Sequence, residues 1–290
     1  MVIDGKKIAD EIISELKNQP KPKKYLAAFL IGGNRASISF LSQKEKVAKE
    51  LGVDFRLYKF PETITQDEFR KEILKIISHK TCGGAIVQLP LPEHLNRQYI
   101  LNVIPRGKDI DILGERALGA FYAERSSVLP PAVGVVEHVL RIMNKELKIM
   151  DVVVIGAGAL VGKPIGLWLE EKVAGLTVFN ENTINLRDKL KNADLIISGV
   201  GKANLFSAEN LKESAVVIDF GYGKQIANGL DGKAIEDPRQ SRDKEQIAGN
   251  FNSKAIGNMP FAVSYTPTPG GTGPILVAKL FENFYKLNED

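Results

Sequence analysis

A glycine-rich turn in the second half of the chain has the residue types and spacing of a dinucleotide site. Four apolar residues, Val152 to Ile155, run directly into Gly156-Ala157-Gly158-Ala159-Leu160-Val161-Gly162. Glycines let backbone N–H groups approach a pyrophosphate, and a helix that begins here adds a partial positive charge. Strand, glycine turn and helix together predict a nicotinamide dinucleotide site. The alternative is a tight turn that binds no ligand.

The residues after the next predicted strand indicate which dinucleotide to expect. That strand ends at Phe179 and is followed by Asn180-Glu181-Asn182. A carboxylate here accepts hydrogen bonds from both ribose hydroxyls and repels a 2′-phosphate, whereas NADP sites usually place Arg or Lys nearby. Ala157 and Glu181 therefore favour NAD over NADP, unless Glu181 is only a solvated turn residue.

The other reactive side chains form no recognisable site. The three histidines, His79, His94 and His138, are scattered, so no metal site is predicted. The single cysteine, Cys82, is followed by Gly83-Gly84-Ala85-Ile86, and we interpret it as a packed side chain rather than a catalytic thiol. One cysteine permits no internal disulfide and suits a reducing compartment.

The composition excludes several classes of protein. A chain of 290 residues with 44% hydrophobic and 26% charged residues fits about two globular domains. The net charge of +4 is small and the basic residues are interspersed with acids, so nucleic acid is not an expected partner. The chain starts without an apolar signal segment, and its most apolar run is about half a membrane span. We therefore expect a cytoplasmic protein without membrane contact.

Hydrophobic periodicity predicts alternating strands and helices, the pattern of parallel α/β sheets. Strands are predicted at 25–31, 53–60, 84–88, 151–155, 176–179, 195–198 and 215–219. Helices are predicted near 8–16, 37–51, 66–78 and 133–143, from the glycine turn to 172, and at 274–287. The segments 103–123 and 231–254 are interpreted as a turn-rich exit from the first domain and a polar loop.

Five motifs occur in one order along the chain. They are Ser37-x-x-Phe40-x-x-x-Lys44, Gly84-Ala85-Ile86-Val87-Gln88-Leu89-Pro90-Leu91-Pro92, Ile104-Pro105-x-x-Lys108-Asp109-Ile110-Asp111, Val154-Ile155-Gly156-x-x-x-x-Val161-Gly162-Lys163-Pro164 and Thr266-Pro267-Thr268-Pro269-Gly270-Gly271-Thr272-Gly273-Pro274. With these motifs the chain resembles the bifunctional methylenetetrahydrofolate dehydrogenase/cyclohydrolase family over nearly its whole length.

The resemblance implies a two-domain α/β enzyme of one-carbon metabolism. An N-terminal α/β catalytic, folate-binding domain would span 1–122 and be completed by 263–290, which holds the C-terminal helix. A Rossmann dinucleotide-binding domain would span 123–262. Family members oxidise 5,10-methylenetetrahydrofolate with NADP, the family default, or NAD, and hydrolyse the resulting methenyl cation to 10-formyltetrahydrofolate. Homodimers are usual, and the expected partners are tetrahydrofolate one-carbon derivatives.

The resemblance also assigns residues to roles. Lys44 matches the catalytic lysine, Gln88 the glutamine that hydrogen-bonds it, and Asp111 the aspartate that anchors the pterin ring. The residues expected to contact the folate are Ser37, Phe40, Pro90, Pro269, Gly270 and Gly271. Those expected to contact the dinucleotide are Gly156, Ala157, Gly158, Gly162, Pro164, Glu181, Thr183 and Gly201.

The chain departs from the family pattern inside the expected active cleft. Phe40 replaces a tyrosine, Ile112 a glycine, and Ala157-Gly158 the Arg-Ser pair that serves the 2′-phosphate. A Gly-Asp-Val-Asp segment has only Gly249-Asn250-Phe251-Asn252 as its nearest trace. Three alternatives therefore stay open: a monofunctional dehydrogenase, a two-domain dehydrogenase of another small substrate such as shikimate, and a catalytically silent homologue that binds folate or a partner.

Overall fold

The computed structural model describes residues 1–225, 246–253 and 263–289. The chain divides into two compact units. The amino-terminal unit comprises Lys7–Glu137 and Pro274–Asp290, and the central unit comprises Met1–Lys6 and His138–Gly273. The domain limits predicted from the sequence stay a prediction; the loop 263–273, expected in the catalytic domain, is grouped here with the central unit.

Helices and strands alternate through both units. The helices are α1 (Gly5–Lys17), α2 (Arg35–Leu51), α3 (Gln66–Ile77), α4 (Arg97–Leu101), α5 (Glu115–Tyr122), α6 (Pro131–Ile142), α7 (Gly162–Leu169), α8 (Leu186–Lys189) and α9 (Thr272–Lys286). The strands are β1 (Tyr25–Ile31), β2 (Phe55–Phe60), β3 (Cys82–Val87), β4 (Asp151–Ile155), β5 (Gly175–Phe179), β6 (Leu195–Ser198), β7 (Phe206–Ser207), β8 (Val216–Asp219), β9 (Gly223–Gln225), β10 (Gln246–Ala248), β11 (Phe251–Asn252) and β12 (Ser264–Tyr265).

The amino-terminal unit is built on a parallel sheet in the order β2-β1-β3. All seven residues of β1 are buried, which explains why the central strand is a continuous apolar run. Phe29 of β1 and Phe69 of α3 are fully buried, and their rings pack edge to face with centroids 6.3 Å apart. Helix α3 therefore covers one face of this sheet.

Local capping sets the ends of α2 and α3. Helix α2 begins two residues before the predicted Ser37, because the Asn34 side chain accepts a hydrogen bond from Ser37 N at 3.1 Å. Gly52 takes a left-handed φ of 66° and ends this helix after Leu51, the predicted last residue. Thr65 caps α3, and the Glu68 side chain completes the capping box.

The central unit contains a parallel five-stranded sheet in the order β12-β8-β6-β4-β5. From β4 the chain moves first to β5 on one side and then to β6 on the other. The carboxyl ends of β4 and β6 thus form a topological switch point, the place where open α/β sheets bind nucleotides. The predicted α/β fold class with a Rossmann sheet is confirmed.

The structure differs from the sequence-based elements mainly where elements are short. Helices α4, α5 and α8 occur where none was predicted. The strands of two or three residues, β7 and β9–β12, depend on pairing with distant segments rather than on a local pattern. Residues 246–248 and 251–252 of the predicted loop 231–254 are strands; 231–245 and 254 lie outside the described residues. No helix in the described ranges is long and apolar enough to cross a membrane.

Candidate active site

The catalytic lysine expected from the sequence contacts the expected glutamine. Because β1 and β3 are adjacent and parallel, their carboxyl ends lie at one edge of the sheet. Helix α2, which carries Lys44, follows β1 along the chain, and Gln88 directly follows β3. Lys44 Nζ donates a hydrogen bond to Gln88 Oε1 at 3.2 Å. Gln88 is buried and Lys44 half-buried. The parallel sheet thus brings together Lys44 and Gln88, which lie 44 residues apart in the sequence.

The orientation of the Gln88 amide is fixed by the next residue. Gln88 Nε2 donates to the Leu89 carbonyl at 2.6 Å, so the amide oxygen is the atom that faces Lys44. The buried Ser37 Oγ donates to the same carbonyl at 3.5 Å. Ser37 therefore ties the first turn of α2 to the loop after β3, and the cis-linked Pro90 that follows is exposed.

Asp111 lies near this pair. Burial raises the pKa of the Asp111 carboxyl, and the positive charge of Lys44 works in the opposite direction. Its side chain is half-buried, so it keeps a surface that a ligand can reach. The structure therefore brings Ser37, Lys44, Gln88 and Asp111 together, and we call this group the Lys44 cluster.

Asp109 shapes the turn that carries Asp111, a function that sequence reasoning missed. Its Oδ2 accepts hydrogen bonds from Gly114 N at 2.8 Å and Leu113 N at 3.1 Å. Burial raises the pKa of the Asp109 carboxyl to about 6. Ile112, inside this turn, has a left-handed φ of 55°, at the position where the family pattern has glycine. An Asp a few residues before a glycine, the pattern of an Asp-stabilised turn, was the available signal.

The segment before Asp111 is held from two sides. Lys108 Nζ donates to the carbonyl of Ile77, the last residue of α3, and to that of His79 two residues later; the helix dipole favours a cation there. Asn283 of α9 is buried, and its Nδ2 donates to the Ile110 carbonyl at 2.9 Å. The C-terminal helix therefore contributes directly to the placement of Asp111.

The remaining residues expected to contact folate, apart from the buried Gly271, are exposed. Phe40 lies one helical turn before Lys44 and is 36% exposed. In the central unit, Pro269 and Gly270 are exposed and Gly271 is buried. Gly270 has a φ of 95°, and a Cβ atom at Gly271 would lie 2.4 Å from Pro267 O. Both glycines are thus already required by the loop itself.

The dinucleotide turn has the close contacts that only glycine allows. Gly156 N continues the sheet by donating to Phe179 O at 2.8 Å, and its φ is 104°. A Cβ atom at Gly162 would lie 1.6 Å from Gly156 O, so α7 can start directly beneath the turn only with glycine there. Pro164 is buried in the first turn of α7, while Ala157 and Gly158 are exposed.

The other residues expected to bind the dinucleotide border the same edge of the sheet. Ile155 and Phe179 are paired in register, so Glu181 and Thr183 follow a strand end beside the glycine turn. Thr183 Oγ1 accepts from Asn180 N at 3.1 Å and closes this second turn, which leaves Glu181 exposed. Gly201 follows β6, on the other side of β4.

Comparisons with known proteins agree over the whole chain. The catalytic-domain model of the tetrahydrofolate dehydrogenase/cyclohydrolase family matches residues 3–111, and its NAD(P)-binding-domain model matches residues 130–290. "Bifunctional protein FolD" of Clostridium botulinum is 32% identical, with 97% of this chain and 95% of that protein covered.

Two solved structures are similar throughout. The bifunctional FolD methylenetetrahydrofolate dehydrogenase/cyclohydrolase of Campylobacter jejuni is 30% identical with a TM-score of 0.87, covering 99% of this chain and 98% of that one. The Trypanosoma brucei enzyme complexed with NADP and an inhibitor is 25% identical with a TM-score of 0.86, covering 99% and 96%. The predicted resemblance and enzyme class are confirmed, and this chain belongs to the tetrahydrofolate dehydrogenase/cyclohydrolase family.

Proposed function

We propose that this protein oxidises 5,10-methylenetetrahydrofolate to 5,10-methenyltetrahydrofolate with NAD(P)⁺ and hydrolyses the methenyl form to 10-formyltetrahydrofolate. The observation that carries the proposal is the Lys44–Gln88 hydrogen bond beside Asp111. These three residues, distant in sequence, meet at the carboxyl edge of the β2-β1-β3 sheet, where α/β proteins bind ligands.

Each member of the Lys44 cluster has a distinct part in the proposed chemistry. Lys44 exchanges the proton that must move when water adds to the methenyl carbon and the ring opens. Gln88, whose amide is held by the Leu89 carbonyl, keeps the lysine directed to that carbon. Asp111 accepts N–H groups of the pterin, a donor pair that suits a carboxylate.

Residues around the cluster supply the folate surface. Phe40 stacks on the pterin ring, which its exposed aromatic face permits. Ser37 and Pro90 frame the carboxyl edge of the sheet. In the central unit, Gly271 sets the shape of the loop that carries the exposed Pro269 and Gly270.

The switch point of the central unit fits a nicotinamide dinucleotide. A Cβ atom at Gly158 or at Gly201 would meet nothing within 4 Å, so the turns after β4 and β6 leave room for a ligand. The turn of Gly156 and Gly162 presents backbone N–H groups at the start of α7, where a pyrophosphate is favoured. A bound nicotinamide supplies the hydride acceptor for the first step. The exposed Glu181 favours NAD, and the family default is NADP.

A turnover assay tests the proposal. Purified protein with methylenetetrahydrofolate and NAD or NADP should form the methenyl product, followed by its absorbance; no product with either cofactor contradicts the dehydrogenase. Lys44→Ala should abolish hydrolysis of added methenyltetrahydrofolate. Lys46→Ala, at an exposed position of the same helix, is the matched control and should retain it. Hydrolysis at the normal rate by Lys44→Ala removes this lysine from the proposed role.

A monofunctional dehydrogenase is the second candidate, and Phe40 is the observation that favours it. Phenylalanine lacks the hydroxyl of the family's tyrosine and cannot donate or accept a hydrogen bond near Lys44. Oxidation of methylenetetrahydrofolate without hydrolysis of methenyltetrahydrofolate identifies this candidate. Phe40→Tyr should then restore hydrolysis.

We also propose that the protein is a cytoplasmic homodimer. The support is the family's usual assembly together with the single, buried cysteine. Light scattering on the purified chain should give twice the 31.8 kDa mass of one chain. A monomeric mass contradicts the dimer.

A further inference from the structure

We propose that Asn250 is a positioning residue that holds the turn after β6 in the conformation that receives the dinucleotide. The inference rests on the proposed use of a dinucleotide at the switch point. Asn250 lies 50 residues along the chain from the turn that it contacts.

Asn250 uses both ends of its amide on one turn. Its Oδ1 accepts a hydrogen bond from Val200 N at 3.1 Å, and its Nδ2 donates to Val200 O and to Lys202 O, each at 2.6 Å. The side chain is fully buried. A carboxylate of the same shape accepts hydrogen bonds only, so it cannot replace the two that Asn250 donates.

The segment that carries Asn250 is itself fixed. The Asn250 carbonyl accepts from Leu205 N at 2.7 Å, and the buried Asp219 accepts from Phe251 N at 2.9 Å. A Cβ atom at Gly221 would lie 2.1 Å from Asn250 Oδ1, so the amide packs directly on that glycine. Asn250 is therefore held from three sides and acts as a rigid support.

Val200 connects this support to the dinucleotide turn. A Cβ atom at Gly156 would lie 2.7 Å from Val200 Cγ1, so the turn after β6 packs on the turn after β4. A displacement of Val200 consequently changes the wall of the turn to which the pyrophosphate binds. Asn250 itself touches neither cofactor nor substrate, and it acts through Val200 and Lys202.

Asn250→Asp gives a test with a pH signature. Protonated aspartic acid can donate one hydrogen bond, whereas its carboxylate would lie against the carbonyl oxygens of Val200 and Lys202, which repel it. At pH 9 the dissociation constant of NAD or NADP, measured by calorimetry, should rise at least tenfold over the unmodified protein. At pH 6 most of this loss should be recovered. Hydrolysis of methenyltetrahydrofolate needs no dinucleotide and should be retained throughout.

Asn210→Asp is the matched control in the same unit. The Asn210 side-chain oxygen accepts from Ser207 N and Ser207 Oγ, each at 3.4 Å, which a carboxylate can also do. This variant should bind the dinucleotide normally at both pH values. Equal binding by Asn250→Asp and the unmodified protein at pH 9 overturns the inference.

Two further outcomes are decided by additional measurements. If Asn250→Asp also loses hydrolysis, this variant has not folded. The binding measurement is then made on Asn250→Ser, which keeps one hydrogen-bonding group. Normal dinucleotide affinity of Asn250→Ser overturns the inference. An unmodified protein that binds the dinucleotide without turnover contradicts the proposed function alone, and the affinity comparison still decides the role of Asn250. An unmodified protein that binds no dinucleotide contradicts both.

Discussion

Replacing Asp109 with asparagine should change how the stability of the protein depends on pH. The carboxyl is 2% exposed, and burial raises its pKa from 3.8 to about 6. The folded state therefore binds this proton more tightly than the unfolded state does. The resulting stabilisation is fully present below about pH 4 and is lost as the pH rises through about 6.

The size of the effect follows from the shift. One pKa unit corresponds to about 1.4 kcal/mol, so the complete loss is about 3 kcal/mol, of which roughly 1.4 kcal/mol falls between pH 5 and pH 8. Asparagine does not titrate. Its side-chain oxygen can accept the two N–H groups that Asp109 Oδ2 accepts, from Leu113 and Gly114. The free energy of unfolding of Asp109→Asn, relative to the unmodified protein, should thus rise by about 1.4 kcal/mol from pH 5 to pH 8.

Urea unfolding at several pH values measures this difference. Comparing the two proteins at each pH cancels the titration of every group that they share. Asp10→Asn, on the exposed side of α1, is the control and should show no comparable trend. A difference between Asp109→Asn and the unmodified protein that stays constant within about 0.5 kcal/mol refutes the reasoning.

Three further substitutions have defined outcomes. Ile112→Gly removes the strain of a left-handed backbone, which costs ~1–2 kcal/mol, but it also removes a buried side chain, which costs ~2–5 kcal/mol of stability. We expect urea unfolding to show a net loss of about 1–3 kcal/mol in the free energy of unfolding, and a gain refutes this. Glu181→Ser should raise the preference for NADP over NAD in kcat/KM about tenfold, or ~1.4 kcal/mol, and an unchanged ratio means that Glu181 does not face the ribose. Gly162→Ala places Cβ against Gly156 O and should abolish dinucleotide-dependent oxidation while methenyltetrahydrofolate hydrolysis persists; retained oxidation shows that the turn can rearrange.

The sequence was most informative where structure depends on neighbouring residues. The strands β1 and β6 have the predicted bounds because a buried parallel strand is a continuous apolar run. The predicted start of α3 agrees with the structure because Thr65 caps the helix within its own first turn. The switch-point turn was found because a tight strand-to-helix connection requires glycines at fixed spacing.

Residue roles that depend on spatial neighbours required the tertiary structure. Asp109 and Asp111 are identical side chains two residues apart, yet one is enclosed by backbone N–H groups and the other lies near Lys44. From the sequence, Asn250 is only part of a weak motif match; its hydrogen bonds with Val200 are seen only in the folded structure. Desolvation and charge interactions depend on distances in space, and a local pattern does not contain those distances.

The sequence by itself therefore determined the α/β class, the glycine turn between β4 and α7, and the family, because all three are encoded in local runs and in the order of motifs. Only the folded chain decided which acid is a turn-former and which faces the lysine. It also showed that Gly271 is required by its own loop and that Asn250 hydrogen-bonds Val200 and Lys202 in the turn after β6. These contacts join residues that lie from four positions apart, as Asp109 and Leu113 do, to 67 positions apart, as Lys44 and Asp111 do. The sheets that bring the distant residues together form only on folding.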